Sequence, residues 1–325
     1  MRAARCTEYG PPSSLSVVEL DDLHPGPGEV LVQVHAAAVN FPDVLIVADR
    51  YQVHAQPPFT PGSEFAGVIA ELGPGVDGPP VGSPVAGAAF TGAFAEQVVV
   101  PVASLRQVPE GLDMVHAAAF HVTYATAYHS LVTVGQGRAG EWVAVLGAAG
   151  GVGSATVDIA TRLGMRVVAA ASSQERLTVA RKLGAEAGVD YVHEDLKLRT
   201  RELTGGEGVH LVIDPVGGDH AEAALRALRR GGRFVTVGYA DGQIPRIPLN
   251  LVLLKDLVVR GFEIRTVRQY APDAVAAADQ ALAGMVRDGM SPYVSRVHAL
   301  DEVATALTDV AERRTTGKVV LDLTS

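Results

Sequence analysis

A glycine-rich turn between a buried strand and a helix constrains this chain more than any other feature. The strand over 143–146 is wholly apolar, residues 147–153 read Gly-Ala-Ala-Gly-Gly-Val-Gly, and a largely apolar helix continues to 163. Against the fingerprint G-x-G-x-x-G, positions 148, 150 and 153 hold Ala, Gly and Gly. Glycines at such positions allow a tight turn, close approach of a pyrophosphate to the backbone, and close packing of helix on strand. The flanking strand and helix favour a dinucleotide site, and an ordinary βα turn is the alternative.

Strand, turn and helix then alternate along the chain. Apolar strands are indicated at 166–170, 209–213 and 233–237, and helices at 174–183 and 221–228. Alternation of this kind builds a parallel sheet with helices on both faces. The sequence therefore predicts an α/β fold in which residues 123–264 form a Rossmann-type, doubly wound dinucleotide-binding domain.

The remainder of the chain has a different pattern. Before residue 110, β-rich segments at 30–34, 65–72 and 94–100 alternate with Gly/Pro turns, which favours an irregular barrel or sandwich. Asp113 is placed to cap a buried helix over 117–131. The segment after residue 264 is too short for a third domain. We expect residues 265–325 to join residues 1–122 in one β-rich domain.

The composition excludes several classes of function. The chain has 36 acidic and 27 basic residues, a net charge of −9, and no basic block, so nucleic acid is not an expected partner. No stretch approaches the ~18 apolar residues of a membrane span, and the N-terminus lacks the apolar run of a signal peptide. Cys6 is the only cysteine, which excludes an intrachain disulfide. We expect a soluble, cytoplasmic protein without a membrane partner.

The segment after the second strand of the alternation indicates which dinucleotide is bound. NAD sites place an acid there, about 20 residues after the turn, to bind the ribose 2′-hydroxyl. This chain has Ser172 and Ser173, which can donate to a 2′-phosphate, and Arg176, which can neutralise it. Glu175 falls later than expected, inside the next helix. The pattern favours NADPH, and a solvated helix-face charge is the alternative for Arg176.

Six motifs together resemble one known family. They are Ala-Val-Asn-Phe-Pro-Asp-Val-Leu at 38–45, Pro-Gly-Ser-Glu-Phe-Ala-Gly-Val at 61–68, Thr-Ala-Tyr-His at 126–129, Ala-Ala-Gly-Gly-Val-Gly at 148–153, Asp-Pro-Val-Gly-Gly at 214–218 and Thr-Gly-Lys-Val-Val-Leu at 316–321. Because these motifs occur together and in this order, the chain resembles the medium-chain dehydrogenase/reductases, in their zinc-free quinone oxidoreductase branch, which includes zeta-crystallin. The resemblance covers essentially the whole chain. It implies that the β-rich domain is GroES-like and catalytic.

The resemblance also predicts whether the chain binds a catalytic metal ion. Zinc-dependent relatives have cysteine where Asn40 stands and histidine where Ser63 stands, and their four-cysteine structural lobe cannot be built here. His121 and His129 fit core or cleft-lining positions better than metal ligands. We therefore expect no metal, and reduction of a quinone or of an enone C=C, where a nicotinamide hydride needs mainly positioning.

The family implies roles for particular residues. Asn40 and Asp43 are expected at the nicotinamide end of the cleft between domains, and Tyr51 above the substrate, where it either handles a proton or only packs. The residues expected to bind the cofactor are Thr126, Ala149, Gly150, Gly151, Val152, Ser172, Ser173, Arg176, Tyr191, Val216, Gly238, Tyr239, Phe262, Ile264 and Arg314. Arg313 competes with Arg314 for its role.

Two other functions and one assembly are consistent with the sequence. An enoyl- or acryloyl-CoA reductase would need basic residues for the CoA phosphates, with Arg246, Arg265 and Arg268 as candidates. A non-catalytic, crystallin-like NADPH-binding protein is the alternative outside enzymes. The β-branched segment 258–264 reads as a strand at the end of the cofactor sheet, and an uncovered edge invites pairing across a two-fold axis. The sequence thus predicts a homodimer or a dimer of dimers.

Overall fold

The computed structural model describes residues 1–324, and at position 265 the backbone alone. The strands are β1 (Arg2–Arg5), β2 (Ser16–Glu19), β3 (Glu29–Val39), β4 (Glu64–Leu72), β5 (Pro84–Ala88), β6 (Gln97–Pro101), β7 (Leu105–Gln107), β8 (Trp142–Leu146), β9 (Arg166–Ala171), β10 (Ala187–Asp190), β11 (Val209–Asp214), β12 (Leu228–Thr236), β13 (Val258–Gly261), β14 (Val294–Ala299) and β15 (Lys318–Asp322). The helices are α1 (Phe41–Val47), α2 (Met114–Ala118), α3 (His121–Tyr128), α4 (Gly151–Arg162), α5 (Gln174–Lys182), α6 (Leu196–Leu203), α7 (His220–Ala227), α8 (Leu249–Lys255), α9 (Ile264–Tyr270), α10 (Pro272–Arg287) and α11 (Val303–Ala311).

The chain divides into two compact units, Met1–Val122 with Ser291–Ser325, and Thr123–Met290. From the sequence, residues 265–290 are expected in the β-rich domain, but in the structure they belong to the second unit. Hydrogen bonds of the residues that follow α10 give a physical reason. Arg162 of α4 donates to the carbonyls of Asp288 and Gly289, at 3.4 and 3.5 Å, just beyond the end of α10. The expected boundary at residue 265 is therefore wrong for this helix.

The first unit is built on a sheet of order β14-β15-β3-β4-β5-β7, with β6 also paired to β3. All of these pairs are antiparallel except β14 with β15. Register shifts on β3, which bend a strand, fit the expected irregular barrel. Gly67 on β4 passes so close to β3 that a Cβ there would lie 2.0 Å from the carbonyl oxygen of Gln33. Phe65, Phe94 and Ile69 are among the large side chains buried in this core.

The second unit holds a six-stranded sheet of order β10-β9-β8-β11-β12-β13, in which every pair is parallel. Every residue of β8 is buried, as expected for a strand covered on both faces. Renumbered within the sheet, this is the order 3-2-1-4-5-6 of the doubly wound dinucleotide-binding fold. The predicted α/β fold class is confirmed.

Some local predictions differ from the structure. Asp113 does cap a helix, accepting from the backbone N–H of His116 at 2.8 Å, but the predicted helix 117–131 is divided into α2, α3 and a π-helical turn, His129–Val134. The predicted edge strand 258–264 ends at Gly261, so Ile264 begins a helix instead. Within the described part of the chain, no helix is long and apolar enough to cross a membrane.

Candidate functional site

The glycine turn lies at the carboxyl end of β8. Gly147 has a φ of +58°, in the left-handed region, and its carbonyl accepts from the N–H of Gly150 at 2.8 Å. A Cβ on Gly153 would lie 2.0 Å from the carbonyl oxygen of Gly147, so α4 packs directly against the turn. The first amides of α4, from Gly151 and Val152, have no acceptor within the helix. The turn therefore presents backbone N–H groups and a helix dipole to an anion.

The next strand end carries the residues predicted to select NADPH. Ser173 is the N-cap of α5, and its hydroxyl oxygen accepts from the backbone N–H of Arg176 at 3.3 Å. That oxygen keeps its own hydrogen to donate. Arg176 is half-buried in the first turn of α5, whereas Glu175 is exposed. The serines and Arg176 thus share one helix N-terminus, which also favours negative charge.

The remaining strand ends carry most of the other predicted cofactor residues. Tyr191 follows β10, Val216 follows β11, Gly238 and Tyr239 follow β12, and Phe262 and Ile264 follow β13. Because carboxyl ends of parallel strands share one edge of a sheet, the fold brings these residues to the edge that carries the glycine turn. Thr126 is buried on α3.

Two residues at this edge had no role in the sequence analysis. His220 packs against Tyr191, with ring centroids 4.2 Å apart and planes tilted by 40°. Asp214 ends β11, and its Oδ1 accepts from the N–H groups of Val216 and Gly217, both at 2.8 Å. Burial raises the pKa of Asp214, while these two N–H donors oppose the rise. Asp214 therefore fixes the loop that carries Val216.

A buried polar cluster in the first unit surrounds Asn40; we call it the Lys318 cluster, meaning Asn40, Asp43, Glu64 and Lys318. The ammonium of Lys318 donates to Oδ1 of Asn40 at 2.6 Å and to Oε2 of Glu64 at 3.1 Å. The same Glu64 oxygen accepts from Nδ2 of Asn40 at 3.0 Å. Glu64 is 0% exposed and Lys318 3%. The carboxamide of Asn40 is thus held at both of its polar atoms.

Asp43 caps the helix that begins after Asn40. Its Oδ2 accepts from the backbone N–H of Asn40 at 2.7 Å, and it is 1% exposed. Burial raises the pKa of Asp43 to about 6. The Ser63 hydroxyl, the Asn40 N–H and the Lys318 charge oppose the rise, and Glu64 adds to it. Asp43 therefore fixes the start of α1, and its place at the nicotinamide end stays a prediction.

Glu64 and Lys318 are candidate site residues that the sequence did not predict, although both lie in the quoted motifs. One signal was present: a lone lysine opens an otherwise apolar strand, Lys-Val-Val-Leu, and a buried charge requires a partner. Tyr51 is half-buried and packs against the apolar core of the first unit.

Arg314 lies beyond α11 and pairs with Glu312 and, at 3.8 Å, with Asp309. Its approach to the cofactor stays a prediction.

The described side chains offer no cluster suited to a metal ion. Among residues 1–324, no group of three or more His, Cys, Asp or Glu side chains could hold one. His129 is buried, its Nδ1 lies 2.9 Å from the Thr133 hydroxyl, and burial lowers its pKa. It is a core residue of the π-helical turn.

The fold and the glycine turn define a dinucleotide-binding α/β unit joined to an antiparallel β unit. Comparison with known proteins agrees on both. A zinc-binding dehydrogenase family model matches residues 151–280, and an alcohol dehydrogenase GroES-like domain model matches residues 26–110. The quinone oxidoreductase-like protein 2 of Bos taurus is 38% identical over 324 residues, 99% of this chain and 92% of that protein.

Two solved structures have the same fold. Escherichia coli quinone oxidoreductase complexed with NADPH gives a TM-score of 0.92 at 26% identity, covering 99% of this chain and 100% of that one. A mycobacterial protein complexed with NADPH gives 0.92 at 30% identity, with the same coverage. The chain belongs to the medium-chain dehydrogenase/reductase superfamily, in its quinone oxidoreductase branch, as its motifs predicted.

Proposed function

We propose that this protein reduces quinones or α,β-unsaturated carbonyls with NADPH and without a catalytic zinc ion. The observation that carries the proposal is the Lys318 cluster. It places an ammonium against the very residue, Asn40, that stands where zinc-dependent relatives have a cysteine ligand. A cation held by the chain itself neutralises Glu64 there.

The donor chemistry supports zinc independence, although one matching family is described as zinc-binding. Zinc in proteins is bound by thiolate, imidazole or carboxylate. Asn40 offers an amide already bonded to Lys318 and Glu64, and Ser63 offers a hydroxyl. Glu64 is the carboxylate that accepts from the Asn40 side chain, and it is already paired with the Lys318 ammonium. This set is complete without a metal ion.

The second unit fits NADPH. A Cβ built on Gly150 would meet only the carbonyl oxygen of Gly147, at 3.3 Å. The space beside Gly150 is therefore open, and a pyrophosphate can approach the backbone of α4 there. Ser172, Ser173 and Arg176 would hold the 2′-phosphate. Both solved neighbours named above were complexed with NADPH, which agrees with the predicted cofactor. When bound, NADPH supplies a hydride.

The chain's own residues then have to bind the acceptor and provide a proton. Asn40 is fixed at both polar atoms, so it is a positioning residue that holds the start of α1. Tyr51, just beyond α1, or a water would supply the proton that accompanies the hydride. Tyr51→Phe tests this directly. If Tyr51 is the donor, kcat falls by about 10²-fold or more while KM for NADPH is kept, and the fall is absent if Tyr51 only packs.

One acceptor screen tests the whole proposal. The purified protein is given NADPH with simple quinones, enals and enoyl-CoAs side by side, and NADPH absorbance is followed. Turnover of quinones or enals, unchanged by a chelator, supports it. Stoichiometric zinc by elemental analysis, with activity lost on its removal, contradicts zinc independence.

The other outcomes of the screen are equally decisive. Strong preference for enoyl-CoAs would make the protein a CoA-ester reductase, with Arg246, which is exposed, as a first residue to replace. Tight NADPH binding without turnover of any acceptor would support the non-catalytic alternative.

We also propose that two copies associate along the exposed edge of the cofactor sheet. Among the described strands, β13 pairs only with β12, and its Val258 and Val259 are each 41% exposed. Beside it in the chain, α8 presents Leu249 and Leu253, which are 77% and 80% exposed. An unpaired strand edge with apolar neighbours favours a symmetric interface.

A further inference from the structure

A basic cavity lies in the second unit at the amino-terminal edge of the sheet. Its volume is about 410 Å³, within the range of small-molecule sites. Four arginines line it, Arg138, Arg229, Arg230 and Arg233, together with Glu141 and His210. We call it the basic pocket. Glu141 directly precedes β8, and His210, Arg229 and Arg230 lie within the first three residues of β11 and β12. Arg233 pairs with Leu211, near the start of β11.

The pocket is far from the cofactor turn. The glycine turn follows the carboxyl end of β8, whereas Glu141 precedes its amino end. Five strand residues at about 3.3 Å each separate the two by roughly 15 Å. A ligand of the basic pocket is therefore not part of the dinucleotide site.

The charges of the pocket are unbalanced. Glu141 is the one acid among its lining residues, and it is bonded to Arg233 at 2.5 Å. Among the residues that the structure describes, no carboxylate forms an ion pair with Arg138, Arg229 or Arg230. The whole chain has a net charge of −9, so this local excess of positive charge runs against the average of the molecule. Three guanidinium groups around one cavity favour an anion.

His210 adds a second and independent observation. Its Nδ1 lies 3.1 Å from the backbone N–H of Trp142, and its Nε2 lies 2.7 Å from Nη1 of Arg229. Both neighbours are donors, but a neutral imidazole can accept at only one nitrogen. If Nδ1 carries the hydrogen, it faces the N–H of Trp142, and if Nε2 carries it, it faces the guanidinium of Arg229. In either case two donors face each other. An anion that drew Arg229 toward itself would relieve this conflict.

The backbone is shaped to present these arginines. Val209 pairs with Leu228 and Leu211 with Arg233, so the four residues 229–232 oppose His210 alone. The ladder is interrupted at this register shift, and both Arg229 and Arg230 are exposed there. Gly231 has a φ of +72°, a conformation that favours glycine.

We propose that the basic pocket binds a small multivalent oxyanion of the di- or triphosphate class. The guanidinium groups of Arg138, Arg229 and Arg230 match the charge of such an anion, and their planar forks suit its oxygens. Arg233, held by Glu141 and by the carbonyl of Gln136 at 2.5 Å, forms the rigid wall of the site. Arg229 and Arg230 are the groups that close on the ligand. This site is independent of the reaction proposed above.

The test is calorimetric titration with inorganic tripolyphosphate at fixed ionic strength, in the presence of saturating NADPH so that the cofactor site is occupied. We expect one site per chain. In the double variant Arg229→Gln/Arg230→Gln, Kd should rise by at least about tenfold, because a single charge-assisted hydrogen bond contributes about one decade of affinity. The matched control is Arg181→Gln/Lys182→Gln, which removes two adjacent charges from α5 and should leave Kd unchanged.

A second readout guards against misfolded variants. Tripolyphosphate should raise the Tm of the native protein and of the control, but not of the pocket variant, since a ligand stabilises only the state it binds. No heat of binding, an equal weakening in both double variants, or binding abolished by NADPH would overturn the proposal. Tighter binding of citrate than of tripolyphosphate would replace phosphate by carboxylate as the ligand class, and so overturn it as well.

Discussion

Lys318 and Glu64 are 254 positions apart in the chain, yet they form the charged centre of the first unit. Both are buried and bond to each other and to Asn40. Glu64 also accepts from the backbone N–H of Val122, and Lys318 also donates to the carbonyl of Val39. Removing one partner of a buried pair leaves an uncompensated charge, which is far more costly than breaking an exposed ion pair. Asp43 shares this surrounding, and its ionisation is the property most open to measurement.

Ionisation of Asp43 should lower the free energy of unfolding as the pH rises. Its pKa is about 6 in the folded protein and near 3.8 when solvated, so the folded state holds its proton more tightly. Stability therefore falls as pH rises between about 4 and 6, by about 3 kcal/mol in all. We expect Asp43→Asn to remove this slope in denaturant unfolding measured from pH 4.5 to 7. The exposed Asp22→Asn is the control, and a constant difference between Asp43→Asn and the native protein at all pH values would contradict the assignment.

Arg176 should set the preference for NADPH over NADH. A guanidinium–phosphate contact is worth roughly 1.5–3 kcal/mol, on the order of 10- to 100-fold in affinity. Arg176→Ala should weaken NADPH binding by that factor and leave NADH almost unchanged, as measured by fluorescence titration. The hydride step at saturation should barely change, because the contact is remote and equal in ground and transition states.

The exposed Arg181 on the same helix provides the control, Arg181→Ala. Equal weakening of both cofactors in Arg176→Ala would make the residue structural. If binding of both NADPH and NADH is unchanged, the 2′-phosphate is held instead by Ser172, by Ser173 or by a cation other than Arg176.

The geometry of the turn between β8 and α4 depends on glycines, because glycine has no side chain to obstruct a close approach of the backbone. Gly153 sits over the Gly147 carbonyl, and both the strand and Ala148 and Ala149 of the turn are buried. Because the obstacle is backbone, the neighbours cannot yield as a flexible side chain would. The position of α4, and with it the position of the anion-binding amides, follows from this one close approach.

Gly153→Ala should therefore shift α4. The added Cβ would lie 2.0 Å from the Gly147 oxygen, so we expect a decrease of about 1–3 kcal/mol in unfolding free energy and weaker NADPH binding. Gly284→Ala is a matched helical control, since its Cβ would meet only the Arg287 side chain at 3.8 Å. That variant should be stabilised by up to about 1 kcal/mol. Similar effects of the two substitutions would contradict the packing argument.

Taken as a molecule, the protein combines a parallel sheet, in which the edge strand β13 is largely exposed, with a mostly antiparallel β unit. The exposed edge, β13, is flanked in sequence by the apolar face of α8. Charged residues instead collect in the basic pocket, at the amino-terminal edge of the same sheet. Self-association and anion binding are thus expected from different surfaces of the second unit.

Light scattering at micromolar concentration should give a dimer or a pair of dimers. Leu253→Glu introduces a charge on α8 at an 80% exposed position, so the fold should be kept while association is abolished. Leu198→Glu, on α6 at 61% exposure, is the matched control and should leave the assembly unchanged. A monomeric native protein would contradict the proposed interface.

The sequence by itself determined the features that are written locally. The apolar run of β8, the glycines that follow it and the N-cap Asp113 were readable because strand period, turn chemistry and capping act within a few residues. The motifs also led to the correct family and fold class. The four-residue β10 and the charged α6 were not predicted, since neither has a clear apolar period and tertiary packing holds them.

Only the tertiary structure decided which distant residues meet. It paired Lys318 with Glu64 and Asn40, bonded Arg162 to the carbonyl that follows α10, and set Arg229 against His210. Each of these contacts joins segments whose separation in the chain carries no local signal. A buried charge in a sequence shows that a partner is required. Which residue answers that requirement depends on strand order and register, and these are properties of the folded chain.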